Sequence, residues 1–207
     1  MNWRDVMRTA AQEAHLNPQV DRFWFLRHGL TDSNKLDINQ GWLDTPLNAH
    51  GMAQVEAAAP HFMNHSISHI HASPLKRARV SAEIVARHLG HSHINFHDDL
   101  RERGVGEHEG TPAHGKSFWE IADGGAEPVD VFARRVVGAL NTLLTQDAPL
   151  VVAHGGIRRV IFAALDIKDT HFGNAIPLMF VRSPGGWAVE RLSENTGQDT
   201  FNPHSAV

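Results

Sequence analysis

The segment Phe23-Trp24-Phe25-Leu26-Arg27-His28-Gly29 decides the fold of this chain. Its first four residues are apolar, and a continuous apolar run is typical of a strand buried on both faces of a parallel sheet. In such sheets the ligand crevice lies just beyond the C-terminal ends of the strands. Arg27 and His28 therefore fall at the edge where a ligand binds, although an isolated Arg-His pair is more often an ordinary strand end beside a surface histidine.

The composition describes an ordinary globular protein without a general attraction for polyanions. The chain has 207 residues, 42% of them apolar and 20% charged, with a formal charge of −4, so we expect no nucleic-acid or membrane partner and any anion site must be local. There is no cysteine, which excludes disulfides and thiolate zinc sites and permits a reducing compartment. No apolar stretch has the length of a membrane span or the form of a signal peptide, so we expect a cytoplasmic protein.

Strands and helices alternate along the rest of the chain. Apolar residues at helical spacing predict helices near 1–20, 49–63, 75–89, 128–144 and 157–165, and apolar runs predict further strands near 67–72, 93–96, 150–153, 176–182 and 187–192. Only the last two strands have the form of a hairpin, because they flank Ser183-Pro184-Gly185-Gly186. We therefore expect an α/β fold, a three-layer α/β/α sandwich whose central sheet is mainly parallel with one antiparallel strand.

Three segments follow from this pattern. They are an N-terminal amphipathic helical extension at 1–20, a single domain at 21–193 and a polar C-terminal tail at 194–207. We expect the extension to pack on the domain or on a twin subunit rather than to carry chemistry. Within the domain, the stretch from Leu100 to Gly125 is rich in glycine and charge, and a loop this long in a compact domain is usually functional or disordered.

Three strand exits share one chemical character. They are Arg27-His28-Gly29, Ser73-Pro74-Leu75-Lys76-Arg77 and His154-Gly155-Gly156. Together they bring two guanidinium groups, two imidazoles and the free N–H groups of helix starts to one crevice, which favours an anion pocket because arginine's planar fork suits phosphate oxygens. Glu102, in the irregular stretch, is the candidate proton donor.

The segment Arg27-His28-Gly29-Leu30-Thr31-Asp32-Ser33-Asn34 resembles the signature of the histidine phosphatase superfamily, which includes the cofactor-dependent phosphoglycerate mutases. Four further stretches resemble the family in the same order: Gln40 to Leu47, Ser73 to Ala78, Leu100-Arg101-Glu102 through Glu109-Gly110, and Val152 to Gly156. The resemblance covers about residues 22–192. It implies the same layered α/β fold that the alternation of elements predicts.

The resemblance also implies a role for individual residues. His28 is the expected nucleophile, forming a phosphohistidine, and Glu102 is the expected proton donor. The phosphoryl group is expected to be held by Arg27, Asn34, Gly41, Arg77, His154 and Gly155. These roles are physically reasonable, because flanking guanidinium groups lower the pKa of an imidazole and keep it neutral for attack, and because they stabilise charge on the phosphoryl oxygens. No metal ion or other cofactor is expected, since the guanidinium groups supply the charge.

Each residue also has a simpler interpretation. Asn34 can cap a helix, and Arg77 taken alone is more often a solvated helix residue than a ligand. Glu102 competes with Glu107 and Glu109, because periodicity does not place an irregular loop. Four further side chains can line the substrate side, although a solvated charge is the favoured interpretation of each: Lys35, Arg101, Arg103 and His108.

The length of the lid separates the two branches of the family. Only 51 residues lie between Glu102 and His154, whereas the mutases carry a longer insertion there that encloses the substrate. A short lid admits water, so we expect a phosphatase that hydrolyses a small phosphorylated metabolite. Gly41-Trp42-Leu43-Asp44 also resembles the mutase pattern, which leaves a mutase-type phosphotransferase as an alternative.

Other classes of protein remain open at this point. A non-catalytic module that binds a phosphorylated ligand would keep the same pocket. Loss of the nucleophile or of the acid would suggest such a module, but both residues are present. The spacing of His61, His65 and His69 allows a metal-dependent hydrolase, but solvated histidines are favoured because no nearby carboxylates complete a site. A homodimer through apolar helix or strand edges is possible.

Overall fold

The described residues form a six-stranded sheet at the centre of the fold. A computed structural model describes residues 2–115, 117–145, 147–170 and 172–193. The strands are β1 (Arg22–Arg27), β2 (His69–Ala72), β3 (Asn95–Phe96), β4 (Pro149–Ala153), β5 (Pro177–Ser183) and β6 (Gly186–Arg191), in the spatial order β3-β2-β4-β1-β5-β6. All neighbouring pairs are parallel except those that involve β5, which is antiparallel to β1 and to β6. The predicted sheet, mainly parallel with one antiparallel strand, is confirmed.

The described residues also form six α-helices, of which the first precedes the sheet and the other five lie between strands. They are α1 (Trp3–Glu13), α2 (Asp32–Lys35), α3 (Ala49–Ala58), α4 (Lys76–Leu89), α5 (Val129–Leu143) and α6 (Gly155–Ala164). Short 3-10 turns lie at Ala59–Phe62, Asp98–Leu100, Gly106–His108 and Phe118–Glu120. Of the helices in these described ranges, none has the length and apolar character needed to cross a membrane.

Two helix bounds differ from the sequence pattern. The helix predicted to 63 changes from α to 3-10 after Ala58, because Pro60 has no N–H with which to continue the α-helical hydrogen bonds. Conversely, α6 begins at Gly155 rather than at Ile157. Two glycines have poor helix propensity, so the pattern hides a first turn that tertiary contacts stabilise.

The strand β1 contributes to two separate cores. Phe23 and Phe25 face α1, α5 and α6, whereas Trp24 and Leu26 face α3 and α4. All four side chains are buried, as the continuous apolar run predicts for a strand covered on both faces. The result is the expected three-layer α/β/α sandwich, with β1 and β4 at its centre.

The N-terminal helix α1 packs on the domain itself. Met7, Ala10 and Ala11 are buried against α5 and α6, and the Asn2 side chain caps the helix by accepting a hydrogen bond from the N–H of Asp5 at 3.0 Å. The extension was expected to pack on the domain or on a twin subunit, and it packs on the domain. The polar tail predicted at 194–207 lies outside the described residues.

A close backbone approach fixes the end of β1 against α3. A Cβ atom on Gly29 would lie 2.3 Å from the carbonyl oxygen of Gly51, and a Cβ on Gly51 would lie 2.0 Å from that of Leu30. Only glycine fits both positions. The N-cap Asn48 begins α3 beside this contact by accepting the N–H of Gly51 at 2.8 Å. The residues after β1 are thereby held in a fixed position above the sheet.

Candidate active site

The exits of β1, β2 and β4 meet in one crevice. Arg27 pairs in register with Ala153, and the N–H of His28 donates to the carbonyl of Ala153 at 2.9 Å. The N–H of Ser73 donates to the carbonyl of Val152 at 3.1 Å, which brings the end of β2 to the same edge. The structure therefore brings the three chemically similar strand exits together at the C-terminal edge of the sheet.

The imidazole of His28 is buried and has a defined tautomer. Its Nδ1 atom lies 2.7 Å from the carbonyl oxygen of Gly29. A carbonyl only accepts, so Nδ1 carries the hydrogen, and the neutral ring has its lone pair on Nε2. Burial, followed by the charges of Arg77 and Arg27, holds the pKa of His28 well below its ordinary value. His28 is therefore neutral at physiological pH, and its Nε2 lone pair is available.

Two arginines supply positive charge beside this ring. Arg77 is only 1% exposed, and its guanidinium donates to the carbonyls of Leu43 at 2.8 Å and Gly41 at 2.9 Å. Burial lowers the pKa of Arg27 to about 10, and that of Arg77 likewise to about 10, while Glu102 opposes both shifts. Both side chains remain cationic at neutral pH. Carbonyls hold Arg77 in place without neutralising its charge.

The second histidine of the crevice, His154, lies beside the first. The two ring centroids are 5.2 Å apart. The Nε2 atom of His154 lies 2.8 Å from the hydroxyl of Ser73, which also accepts the N–H of Leu75 at 3.3 Å. Burial, and then the charges of Arg77, His28 and Arg27, holds the pKa of His154 well below its ordinary value. His154 is therefore a neutral hydrogen-bonding group rather than a third full charge.

Three buried nitrogen atoms of this crevice have no hydrogen-bond partner among the described residues. They are Nε of Arg27, Nε of Arg77 and Nδ1 of His154. An unpaired buried donor costs about 1–3 kcal/mol, so native structures keep such groups mainly where a ligand, ion or water completes them. An oxyanion can accept from all three. The crevice therefore has the donor set of an anion site.

The carboxyl group of Glu102 reaches the crevice from the irregular segment. Its Oε2 accepts the N–H of Gly156 at 3.0 Å, and its Oε1 accepts the N–H of Arg103 at 3.0 Å. A Cβ atom on Gly156 would lie 2.0 Å from Oε1, so a glycine is needed there for the carboxyl to approach. Glu107, in contrast, is exposed. Of these two residues, Glu102 is the one whose carboxyl lies at the crevice.

The third candidate carboxylate, Glu109, has a structural environment. Its Oε1 accepts the backbone N–H groups of Trp42 at 2.8 Å and Val105 at 3.3 Å. It therefore ties the loop after Gln40 to the irregular segment. Trp42 reinforces this tie, because its indole Nε1–H donates to the carbonyl of Glu102 at 2.7 Å.

Asn34 has the capping geometry that its simpler interpretation predicts. It occupies the third position of α2 in a capping box, where its Oδ1 accepts from the N–H of Thr31 at 3.2 Å and from the hydroxyl of Thr31 at 3.1 Å. Oδ1 also lies 3.4 Å from the side-chain nitrogen of Asn174. The cap thus occupies the amide oxygen, and the amide NH₂ remains the group able to contact a phosphate.

The two glycines predicted to contact phosphate lie at the crevice. The carbonyl of Gly41 holds Arg77, so Gly41 acts on the crevice at least by orienting that guanidinium. Gly155 is the first residue of α6, and a Cβ atom there would lie 3.4 Å from the guanidinium carbon of Arg27. A phosphate contact by either glycine stays a prediction.

The comparisons with known proteins agree with this geometry. Residues 23–195 match the sequence model of the histidine phosphatase superfamily (branch 1). The chain belongs to the histidine phosphatase superfamily. It is 36% identical over 186 residues to the uncharacterized phosphatase PhoE of Bacillus subtilis (strain 168), covering 85% of this chain and 96% of that protein.

Two further similarities bear on this member of the superfamily. The chain is 34% identical over 183 residues to an agropine synthesis reductase of Rhizobium rhizogenes, covering 83% of this chain but only 42% of that longer protein. Among solved structures, a mycobacterial glucosyl-3-phosphoglycerate phosphatase in complex with VO₃ superposes with a TM-score of 0.67 at 28% identity, covering 83% of this chain and 98% of that one. The phosphoglycerate mutase-like fold is therefore confirmed.

The chain has an ionic support behind Glu102 that the sequence did not reveal. Glu127 accepts from Arg135 through both carboxylate oxygens, at 2.8 Å and 2.7 Å. Arg135 also donates to the carbonyls of Asp99 at 2.7 Å and Arg101 at 3.1 Å. Because Glu102 directly follows Arg101, the pair of Arg135 and Glu127 fixes the backbone from which the Glu102 side chain extends. The two carbonyls lie 36 and 34 positions before Arg135, and no sequence period relates residues so far apart, so only the fold discloses the support.

Arg103 corrects one expectation. A solvated charge was the favoured interpretation, but Arg103 is only 1% exposed. Its guanidinium donates to the carbonyls of Glu127 at 2.7 Å and Phe118 at 2.8 Å, which closes the irregular segment on itself. Arginine bridges several carbonyls at once because it has five N–H donors. Lys35 is exposed, Arg101 pairs with Asp98 at 2.6 Å and His108 pairs with Asp123 at 2.7 Å.

Two polar residues of the site were missed. The hydroxyl of Ser81 accepts the N–H of Gly29 at 3.2 Å and donates to the carbonyl of Arg77 at 2.7 Å. Asn174 donates to the carbonyl of His28 at 3.0 Å. Ser81 follows Arg77 by one helical turn, a spacing that could have indicated it, whereas nothing in the sequence relates Asn174 to His28. Within the described ranges, no group of three or more histidine and acidic side chains is placed to hold a metal ion.

Proposed function

We propose that this histidine phosphatase hydrolyses a phosphomonoester without a metal ion, through a phosphohistidine formed on Nε2 of His28. The observation that carries the proposal is the pairing of a neutral imidazole, whose Nδ1 is committed to Gly29, with unpartnered buried donors of Arg27, Arg77 and His154. A nucleophile with a free lone pair thus lies within a donor set suited to an oxyanion. Names of relatives such as PhoE and the glucosyl-3-phosphoglycerate phosphatase support phosphatase chemistry on a small phosphorylated metabolite.

The first step transfers the phosphoryl group to the enzyme. Nε2 of His28 forms a bond to phosphorus while the bond from phosphorus to the ester oxygen breaks. Charge in the transition state lies mainly on the three non-bridging oxygens, where Arg27 and Arg77 stabilise it. The leaving alkoxide takes a proton from Glu102, and each oxygen of that carboxyl has a lone pair beyond the one that accepts a backbone N–H.

The second step releases inorganic phosphate. A water molecule attacks phosphorus and loses a proton to Glu102, which is now a carboxylate and a competent base. The bond between phosphorus and Nε2 breaks, and His28 returns to its starting form. The hydrogen bond from Nδ1 to Gly29 keeps the same nitrogen available in each cycle.

His154 acts as a neutral donor in this scheme. The hydroxyl of Ser73 accepts the N–H of Leu75 and can donate its own hydrogen to Nε2 of His154. The proton of the ring then lies on Nδ1, the buried atom without a described partner, where a phosphoryl oxygen can accept it. Asn34, Gly41 and Gly155 complete the phosphate contacts.

The alternative within the family is a mutase-type phosphotransferase, which the Gly41-Trp42-Leu43-Asp44 motif favours. The short segment between Glu102 and His154 favours hydrolysis, because water must reach the phosphohistidine. Two other expectations stay predictions, namely a possible homodimer and a cytoplasmic location.

Turnover of a panel of phosphate monoesters tests the proposal. The panel contains p-nitrophenyl phosphate and sugar, nucleotide and glycerate phosphates, and the proteins are wild type, His28→Ala and the exposed-histidine control His50→Ala. We expect release of inorganic phosphate by wild type and His50→Ala, and none by His28→Ala. Equal release by all three would contradict the role of His28. Transfer between glycerate phosphates without release would favour the mutase, and binding without turnover would favour the non-catalytic module.

A further inference from the structure

A second cavity lies between α1, α6 and the segment that follows α6. Its volume is about 370 Å³, within the range of about 300–1,000 Å³ that is usual for small-molecule sites. The residues that line it are Trp3, Arg4, Met7, Arg8, Arg159, Phe162, Ala163, Asp166, Ile167, Lys168 and Asp169. None of the proposed catalytic residues is among them.

The cavity has an apolar floor and a cationic rim. Met7, Phe162 and Ile167 supply apolar surface, and Trp3 supplies an aromatic wall. Four of the lining residues are cations and two are carboxylates, so the rim has an excess of two positive charges on a chain whose formal charge is −4. Local charge of this sign, against the charge of the whole chain, favours an anionic ligand.

The ionic contacts of the rim leave part of this charge free. Arg8 pairs with Asp166 at 2.8 Å and Arg159 pairs with Asp169 at 2.5 Å, and these partly exposed pairs contribute little to stability. Arg4 and Lys168 make no ion pair with a described residue. The guanidinium of Arg4 lies 4.5 Å from the centre of the Trp3 ring, a cation-π arrangement that leaves its N–H donors available to a ligand.

Two features relate the cavity to the neighbouring catalytic crevice. Arg159 lies one helical turn beyond Gly155 on α6, and its charge adds to the effect of burial in lowering the pKa of Arg27. On the other side, the rings of Trp3 and Trp119 stack with centroids 5.3 Å apart. A Cβ atom on Gly156 would meet both the Trp119 ring edge, at 2.8 Å, and the carboxyl of Glu102.

We propose that this cavity is a second binding site, for a small organic anion in which a carboxylate or phosphate is attached to a short apolar or aromatic body. The apolar floor contacts the apolar or aromatic part of the ligand, and Arg4 and Lys168 bind its anionic group. A simple inorganic ion fits less well, because the volume equals that of roughly a dozen water molecules at about 30 Å³ each. The ligand is a molecule separate from the phosphomonoester, since no proposed catalytic residue lines the cavity.

Titration with 3-phenylpropionate tests this site by NMR of the indole N–H groups of the full chain. The chain has five tryptophans, and a Trp3→Phe variant assigns the Trp3 signal. We expect a saturable shift of the Trp3 signal, no shift of Trp187 in β6, and no effect from the neutral analogue 3-phenyl-1-propanol. Orthovanadate, added as a competitor for the proposed catalytic site, should leave the affinity unchanged.

Charge reversal locates the binding. Arg4→Glu and Lys168→Glu should each weaken binding roughly threefold and together roughly tenfold, whereas Arg22→Glu, an exposed control outside the cavity with the same change in net charge, should not. Glutamate at residue 4 suits the first turn of a helix, so the fold is retained. Absence of a saturable shift, equal affinity in all variants, or competition by orthovanadate would overturn the proposal. The readout is binding, so it does not depend on the proposed catalysis.

Discussion

Arg135 on α5 donates to both carboxylate oxygens of Glu127, at 2.8 Å and 2.7 Å, directly behind the chain segment that carries Glu102. The pair is mostly buried, with 17% and 13% of the two side chains exposed. Charge-assisted bidentate pairs are stronger and more directional than neutral hydrogen bonds. The backbone of Glu102, the proton donor proposed here, is therefore held rigidly, although the segment around it has almost no regular secondary structure.

Loss of this support should impair acid catalysis. In Glu127→Gln the shape is kept but the charge is lost, and we expect kcat to fall roughly tenfold with little change in KM, because Glu102 is displaced by a fraction of an ångström. Glu127 is a positioning residue, so the loss should be larger for an alkyl phosphate than for p-nitrophenyl phosphate, whose leaving group needs less protonation. Glu120→Gln, at an exposed acidic residue of the same segment, is the control. An equal loss for both substrates would indicate a merely structural role.

Glu102→Gln should show the same dependence on leaving group in a stronger form. General acid catalysis contributes about a hundredfold to ten-thousandfold, so we expect a loss in that range for an alkyl phosphate and a smaller one for p-nitrophenyl phosphate. Steady-state release of inorganic phosphate from the two esters measures the ratio. Full activity toward the alkyl ester would rule out Glu102 as the acid and return attention to Glu107.

Arg77→Lys should keep the net charge of the protein but move the positive charge away from the phosphate position. Lysine has no planar fork and does not bind the carbonyls of Gly41 and Leu43 while pointing at a phosphate. We expect kcat/KM to fall about a hundredfold to a thousandfold, the usual effect of removing one preorganised donor. Arg79→Lys, an exposed position on the same helix, should have near-normal kinetics. Comparable losses in both variants would contradict the assignment.

The buried histidines predict a loss of stability in acid. The folded-state pKa values of His28 and His154 lie well below their ordinary value, so the unfolded chain takes up protons that the folded chain refuses as the pH falls below about 6.5. Their contribution is complete above that pH. Below it, the free energy of unfolding should decrease by up to about 1.4 kcal/mol per pH unit for each histidine.

Urea unfolding at pH 7.5 and pH 5.5 measures this decrease. The variant His28→Asn/His154→Asn should lose less stability between the two pH values than wild type does, because neither asparagine titrates. His50→Ala should follow wild type, since His50 is exposed. Parallel curves for wild type and the double variant would show that these two rings do not titrate as described.

The sequence predicted the fold well because the fold depends on local patterns. Apolar runs such as Phe23 to Leu26 indicate buried strands, and the antiparallel β5 follows from the hairpin turn before β6. What the sequence did not predict depends on contacts between distant residues. Arg103 was expected to be solvated because nothing nearby in sequence pairs with it, yet three carbonyls up to 24 positions away bury it.

In the candidate site, too, local sequence patterns indicated some residues, whereas contacts between distant residues hid the others. The strand exits at Arg27, Arg77 and His154 could be found because each follows a recognisable strand or begins a helix. Ser81 contacts backbone groups of Gly29 and Arg77, and Asn174 donates to the carbonyl of His28, which lies 146 positions away. Irregular backbone has no period, so the choice of Glu102 over Glu109 required the observed hydrogen bonds.

Detection of the covalent intermediate tests the central claim most directly. Wild-type enzyme is mixed with p-nitrophenyl phosphate, quenched in alkali within milliseconds to preserve phosphohistidine, and mapped by peptide mass spectrometry with site localisation. The account predicts a phosphoryl group on His28, attached through Nε2 as judged by the phosphorus NMR shift of the quenched protein. Turnover accompanied by a phosphoryl group on another residue, by attachment through Nδ1, or by no phosphoenzyme at any quench time would contradict it.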